Sequence, residues 1–276
     1  MTRCKLFLVG CAIFSLLVTM QTQLQASTLP TTSASVIARY DASSLALGDG
    51  ASVGTWTATA GPDANAEGAS SSPTFLTGFS PTGLPGVVFD GGAGADDRML
   101  IGRNSDADPN PALADTEAIF VVLQMNSTGW PEQQQIVGAD GLKVMGVRNS
   151  TLFTTDQPAA GNINFSDTTG LHVLSWVRGK PLRIDGFEPT GSNTADAPFA
   201  QVSIIGDERL SPPDNPGPGM TFGEIVLYNN NGAAMSDSDR AKVETHLMSK
   251  WLGIPEPTSL ALLAMGGLAL TLRRRT

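Results

Sequence analysis

Between Val36 and Tyr228 the chain is written in short bursts of apolar and β-branched residues, each closed by glycine, proline, asparagine or aspartate. The clearest are Val36-Ile37-Ala38-Arg39-Tyr40, Val87-Val88-Phe89, Ile119 to Leu123, Leu142 to Val147, Val173 to Val177, Val202 to Ile205 and Ile225 to Tyr228. Runs of this length are short for helices, and β-branched side chains fit a pleated surface. The 30 Gly and 18 Pro supply turns throughout and leave helical periodicity little room. The pattern predicts an all-β domain, built as an antiparallel sandwich or barrel. Ile119 to Leu123 is apolar at consecutive positions and is expected as a central strand covered on both faces. The small, polar segments Gly61 to Ser72 and Pro189 to Pro198 are expected as loops. Pro212 to Gly219, with four prolines, cannot be a strand interior.

One stretch breaks the pattern. Ser236 is placed to cap a helix, with Asp239 three residues on, and negative charge suits a helix N-terminus. Val243, Leu247 and Trp251 follow at every fourth position, flanked by Ala241 and Met248, and Gly253 and Pro255 close the run. These features predict one C-terminal amphipathic helix with its Trp251 face on the sandwich.

The two ends have a different character. Arg3 and Lys5 precede an apolar run from Leu6 to Val18, and a small residue follows at Ala26. This is the layout of a secretory signal peptide over residues 1–26, since the run falls short of the roughly 20 residues a spanning helix needs. Leu8-Val9-Gly10-Cys11 has the letters of a lipobox, but it stands close to Lys5 and more apolar residues follow it, so it is read as part of the signal. Both cysteines, Cys4 and Cys11, fall inside residues 1–26. The exported body is then expected to have no disulfide, thiolate metal site or cysteine nucleophile. At the other end, Pro255-Glu256-Pro257-Thr258-Ser259 precedes an apolar stretch from Leu260 to Leu272, followed by Arg273-Arg274-Arg275. An apolar segment of this kind enters a bilayer, with the arginines holding its end on the cytoplasmic side.

The whole chain carries a net charge of −9. Without both ends, the body from 27 to 254 holds 12 basic against 25 acidic residues, a net charge of −13. Such a body offers no basic surface to a nucleic-acid backbone. It also repels anionic polymers unless divalent cations bridge them.

The order of Pro255-Glu256-Pro257, apolar run and Arg273, Arg274 and Arg275 closely resembles the PEP-CTERM sorting signal of Gram-negative bacteria. The resemblance implies an exosortase-type peptidase as a partner, transient membrane insertion of residues 255–276, and a destination at the cell surface or in the extracellular matrix. Gly223 to Tyr228, a short Asn-rich turn, then Ser236-Asp237, Arg240, Val243-Glu244 and Lys250-Trp251-Leu252-Gly253 resemble the ending of concanavalin A-like, LamG-type domains. Phe89-Asp90-Gly91 with Met99-Leu100, and Leu171 to Arg183, fit strands of that jelly roll. This resemblance implies a jelly-roll sandwich, a fold that hosts lectins, adhesion modules and some glycosidases, and fold alone does not choose among them.

The chemistry-bearing residues are sparse. His172 and His246 have no second histidine four residues away and no nearby acid at ligand spacing, which argues against zinc. There is no Gly-x-Ser-x-Gly elbow, and nothing in the sequence favours a serine triad. Glycoside hydrolysis needs two carboxylates across a cleft. Glu117 and Glu224 each stand alone near strand starts and are expected as solvated edge residues. Asp106, Asp108 and Asn110 alternate oxygen side chains and form a candidate calcium loop, with Asp96 and Asp97 as further donors. Pro109 and Pro111 stiffen that loop and no distal glutamate completes it, so an acidic surface loop is the competing reading. Trp130, in Asn126 to Pro131, is the candidate exposed aromatic for a sugar ring, whereas Trp56 and Trp176 sit in strands and Trp251 faces the core. The expectation is a non-enzymatic exported surface or matrix protein that binds or scaffolds exopolysaccharide. Two alternatives stand beside it, an adhesion module with a protein partner and a polysaccharide-acting enzyme.

Overall fold

The computed structural model describes residues 28–66, 72–89, 97–104, 113, 115–125, 134–139, 142–148, 151–154, 163–164, 169–190, 202–206 and 219–255. In chain order the strands are β1 Ser35–Asp41, β2 Thr55–Trp56, β3 Ala64–Ala66, β4 Thr74–Leu76, β5 Gly86–Phe89, β6 Arg98–Ile101, β7 Ala118–Met125 and β8 Gln134–Ala139. They continue as β9 Leu142–Arg148, β10 Thr151–Thr154, β11 Ile163–Asn164, β12 Leu171–Val177, β13 Arg183–Ile184, β14 Ile204–Gly206 and β15 Met220–Asn229. A helix, α1 (Asp237–Leu247), then runs into a π turn at Met248–Leu252. Residues 32–254 form one compact unit.

The strands pair antiparallel into two sheets. The first runs β13-β12-β7-β15-β5-β4, with β1 on the C-terminal half of β15; the second runs β11-β10-β9-β8-β14-β6-β3-β2. The expected sandwich is therefore present. Each strand run anticipated from sequence is found, although β14 begins at Ile204 instead of Val202. One loop expectation needs correcting: Ala64–Ala66, inside Gly61 to Ser72, is β3, paired to β2 on one side and β6 on the other. Its small, polar side chains hide a strand that is defined by backbone pairing more than by side-chain pattern.

Registers fix which side chains share a face. Ile119 and Val121 lie opposite Leu227 and Ile225 and, on the other side, opposite Trp176 and Leu174. This set faces the second sheet. Tyr40 of the first sheet meets Trp56 of the second with ring centroids 5.9 Å apart. The alternate set, Phe120, Val122, Ser175, Val226 and Tyr228, faces the helix, and Phe120 packs edge-on against Tyr228 at 5.6 Å. The central strand β7 is buried on both faces because one covers the second sheet and the other lies under α1.

A single irregularity in β15 sets the chemistry of the helix side. Phe222 pairs with Leu123 but Glu224 pairs with Val122, so Gly223 is an extra residue, a β-bulge. Strict alternation would put Glu224 on the same face as Phe222, against the second sheet. The bulge reverses it and turns the carboxylate toward the helix. Gly223 also lies under the Trp251 ring, where a Cβ would come within 2.9 Å of ring carbons.

The two sheets touch closely at Gly206. Its φ is 87°, and a Cβ there would lie 2.6 Å from the Phe89 ring and 2.8 Å from the Asp97 carbonyl oxygen. Gly206→Ala should therefore lower unfolding stability by about 2 kcal/mol or more. Gly48→Ala, at a site with open space and no left-handed backbone, should leave it within about 0.5 kcal/mol. Urea unfolding followed by tryptophan fluorescence measures both.

Candidate functional site

The polar side chains that the fold brings together gather between the first sheet and α1. Glu224, on the bulged strand, is 0% exposed. Its Oε1 accepts from Arg39 Nε at 2.7 Å, and its Oε2 accepts from Lys250 Nζ at 2.7 Å and from Trp251 Nε1 at 2.8 Å. Asp41, opposite Glu224 in the β1 register, joins the cluster. Its Oδ2 accepts from Lys250 Nζ at 2.5 Å and from Arg39 Nη2 at 3.2 Å. Two carboxylates and two cations thus close a neutral ring in a site almost shut from water.

The π turn makes this geometry possible. Hydrogen bonding from i to i+5 widens the turn, and both Lys250 and Trp251 are buried. Gly253 ends the turn in the left-handed conformation at φ 69°, its N–H donating to the Met248 carbonyl. The Thr82 hydroxyl donates to the Lys250 carbonyl at 2.8 Å, tying down a further backbone group at the helix end.

A second buried cluster lies nearer the start of the helix. Arg240 is wholly buried and donates through Nε to Glu244 Oε1 at 2.9 Å, through Nη2 to the Ser175 carbonyl at 2.7 Å and through Nη1 to the Pro181 carbonyl at 2.7 Å. The Ser175 hydroxyl donates to Glu244 Oε1 at 2.5 Å, and Arg183 reaches the other Glu244 oxygen at 3.5 Å. Burial pushes the Arg240 guanidinium down to about 10 despite the neighbouring Glu244, so it stays charged at neutral pH. At the helix start the Ser236 hydroxyl accepts from the Asp239 N–H at 3.1 Å, which is the expected cap. The Asp239 carboxylate takes Lys242 and both the N–H and hydroxyl of Ser33, contacts that hold it far below the usual carboxylate range.

The sequence expectations divide cleanly here. Val243, Leu247 and Trp251 are buried as the periodicity predicts, but Ala241 is exposed, and Arg240, Glu244 and Lys250 share the buried face. Glu117 and Glu224 are not solvated edge residues. Glu117 is 1% exposed and pairs with Arg178 at 3.4 Å, and Glu224 sits in the cluster above. A lone acid in an apolar strand reads as solvated because its neutralising partners come from elsewhere: Arg39 lies 185 residues away. The two glutamates are neutralised by different cations, Glu117 by Arg178 and Glu224 by Arg39 and Lys250.

His172, with no nearby acid at ligand spacing, meets Asp185 thirteen residues on, Nδ1 to Oδ2 at 2.7 Å. Asp185 and Gly186 have φ of 51° and 80° and join Ile184 to Phe187 in a tight two-residue hairpin turn. The other Asp185 oxygen accepts the Val173 N–H at 2.8 Å, so this carboxylate braces the hairpin against β12. His246 is 8% exposed, its Nε2 has no hydrogen-bond partner, and burial lowers its pKa.

Among the described residues no group of three or more His, Cys, Asp or Glu side chains is placed to hold a metal ion. No described helix is long and apolar enough to cross a membrane. Asp97 is buried at the entry to β6. Asp106, Asp108, Asn110, Asp96 and Trp130 lie outside the described residues, as do residues 1–26 and the sorting segment from Glu256 through Arg273, Arg274 and Arg275.

Residues 253–275 match the PEP-CTERM protein-sorting motif. The chain therefore carries an exosortase-type sorting signal, the mark of an exported protein. No curated protein matches it. Among solved structures it is similar to a Trypanosoma rangeli sialidase in complex with sialic acid, at 14% identity and a TM-score of 0.45, over 79% of this chain and 33% of that one. It is also similar to the botulinum neurotoxin serotype D binding domain, at 12% identity and a TM-score of 0.44, over 78% and 52%. The chain spans about a third of the sialidase's length. Likeness at this level carries no argument about fold or activity.

Removing one member of the buried ring leaves charge stranded, which costs about 3–5 kcal/mol. Lys250→Met and Glu224→Gln should each destabilise the domain by that order, and the double variant should cost clearly less than the sum, as a denaturant double-mutant cycle measures.

Stability should also fall with acid in two stages. His246 has a folded pKa below its unfolded value near 6.5, so its contribution is complete above about pH 6.5 and is lost as pH falls below it. Burial alone would raise Asp41, but Lys250, Ser43 and Arg39 outweigh it and hold the carboxyl below 3.8, so that contribution is lost below about pH 4. Urea midpoints from pH 7.5 to 3 should show both steps, and His246→Gln should flatten the first alone.

Proposed function

We propose that this chain is a non-enzymatic exported surface or matrix protein whose LamG-type sandwich binds or scaffolds exopolysaccharide. The observation that carries the reading is the join between a compact sandwich ending at Ile254 and a sorting motif matched from Gly253. Such a chain delivers one folded module to the envelope. Support for the LamG-type assignment comes from the C-terminal pattern: Arg240, Glu244, Lys250 and Trp251 are the residues that bind the last helix to the sheet. That they are structural also explains why the pattern names no ligand. The non-enzymatic reading is supported by the buried carboxylates, since Glu117, Glu224 and Glu244 each pair with arginine or lysine.

Ligand chemistry rests on sequence. Trp130 is the proposed stacking residue, and Asp106, Asp108 and Asn110 the proposed calcium ligands linking an acidic body to an acidic polymer. The body, residues 27–254, should bind the producer's own exopolysaccharide in calcium and bind at least about tenfold more weakly in chelator, about 1.4 kcal/mol. Trp130→Ala should weaken binding, and Asp106→Asn with Asp108→Asn should remove its calcium dependence. Titration calorimetry against that polymer and a glycan panel decides. Binding indifferent to chelator keeps the sugar and discards the metal. Binding to a surface protein but to no glycan makes the chain an adhesion module, and depolymerisation of the glycan makes it an enzyme.

A further inference from the structure

The sorting motif begins inside the folded domain. Its first matched residue, Gly253, is the left-handed cap of the π turn, and the Ile254 N–H still points to the Met248 carbonyl at 3.4 Å. One residue before the cap lies Leu252, and before it Trp251 and Lys250, both held by Glu224. A peptidase takes its substrate as an extended strand, with several residues on either side of the cut bond. Folded segments supply such a strand only by opening.

We infer that the folded sandwich sets the upstream limit of processing, so that the tail is cut after Pro257 and not within or before Pro255-Glu256-Pro257. The reasoning follows the register of the chain. Cutting Ile254–Pro255 would draw Trp251, Leu252, Gly253 and Ile254 into the extended strand, which pulls the indole from its buried hydrogen bond to Glu224. Cutting Pro255–Glu256 would still unwind Leu252 and Gly253. The bonds before Pro255 and Pro257 are also tertiary amides, with restricted backbone on their upstream side. Pro257–Thr258 is the first bond whose four upstream residues, Ile254 to Pro257, all follow the left-handed cap at Gly253 in sequence. Thr258–Ser259 and Ser259–Leu260 follow before the apolar run. In hydrolysis the C–N bond of one of these three breaks, water supplies the hydroxyl of the new carboxyl terminus, and a proton from water completes the amine of the departing tail. The exported protein then keeps the proline motif as a short stiff stub.

This inference rests on the sorting reading, and the test separates the two. The full chain, expressed in exosortase-positive cells and purified from the envelope, is weighed intact by mass spectrometry. The expected masses end at Pro257, Thr258 or Ser259. A chain ending at Ile254, Pro255 or Glu256 overturns the inference while leaving sorting intact. A chain that keeps Thr276 overturns both. A second chain carries Gly-Ser-Gly-Ser between Ile254 and Pro255, with an unchanged melting temperature confirming that the sandwich is intact. There the upstream bonds stand clear of the π turn, and the expected product is a mixture that now includes ends at Pro255 and Glu256. If the insertion leaves the cut solely after Pro257, recognition of the motif alone chooses the bond and the domain has no part in it.

Discussion

Three N–H donors converge on the Glu224 carboxylate, and the organisation of the helix side depends on that convergence. A carboxylate buried at this depth is tolerated only when its charge is matched and its lone pairs are used. Arg39 comes from the first strand, and Lys250 and Trp251 from the π turn that follows α1. Strand β1 and the helix end therefore cannot leave the sheet independently without stranding an ion. Ser33 and Asp239 make a similar link at the other end of the helix, so β1 and α1 are bound together at both ends. In a body with no cysteine, these contacts tie its first and last segments together.

Gly223 is what makes the cluster possible. Were Gly223 to take a regular place in the ladder, alternation along β15 would aim Glu224 at the second sheet, on the face that carries Phe222. The bulge turns it outward, and the missing Cβ lets the Trp251 ring lie over the strand. One glycine thus serves both register and close approach. A buried ion ring also discriminates among alternatives in a way an apolar contact does not. Leu247 and Val243 would tolerate a helix shifted by a fraction of a turn, whereas Lys250 between Asp41 and Glu224 has one placement.

Much of the sandwich was legible because its long strands carry their signal in their own residues. Ile119 to Leu123 announces a strand covered twice, and Ser236, Val243, Leu247, Trp251 and Gly253 mark a helix with both its ends. Of the shortest strands, β14 and, through Trp56, β2 carried a signal, whereas β3, β11 and β13 exist by pairing with neighbouring strands. Asp185-Gly186 is the exception, a hairpin dipeptide that could have been read directly. The buried charges were hidden for a different reason. Arg240 and Glu244 stand four apart and are readable as a pair, but Glu224 and Asp41 make sense only once β1 lies beside β15 and Lys250 above both. Hydrophobic periodicity ranks Arg240 and Lys250 as outward residues, and it is their partners that bring them in. The ligand-binding candidates rest on residue type alone, because Trp130, Asp106, Asp108 and Asn110 lie outside the described part of the chain.

The placement of the cations bears on what the rest of the surface can do. Arg39, Arg178, Lys180, Arg183, Arg240, Lys242 and Lys250 pair with Asp41, Glu117, Glu188, Glu224, Asp237, Asp239 and Glu244, seven cations against seven carboxylates in and beside the helix layer. The body has 12 basic and 25 acidic residues, so five basic against eighteen acidic remain for everything else. The helix layer is electrically self-contained, and the whole excess of −13 belongs to the remainder of the body. An anionic polymer approaching that remainder meets a field of its own sign, and salt screens such a field over a Debye length of about 8–10 Å without reversing it. Contact with an acidic polysaccharide therefore needs a divalent cation held between the two, whereas contact with a neutral one needs only aromatic and hydrogen-bonding groups. Seven of the twelve basic residues thus hold the helix layer together, and on the proposed reading an acidic polymer would come with calcium and a neutral one without it.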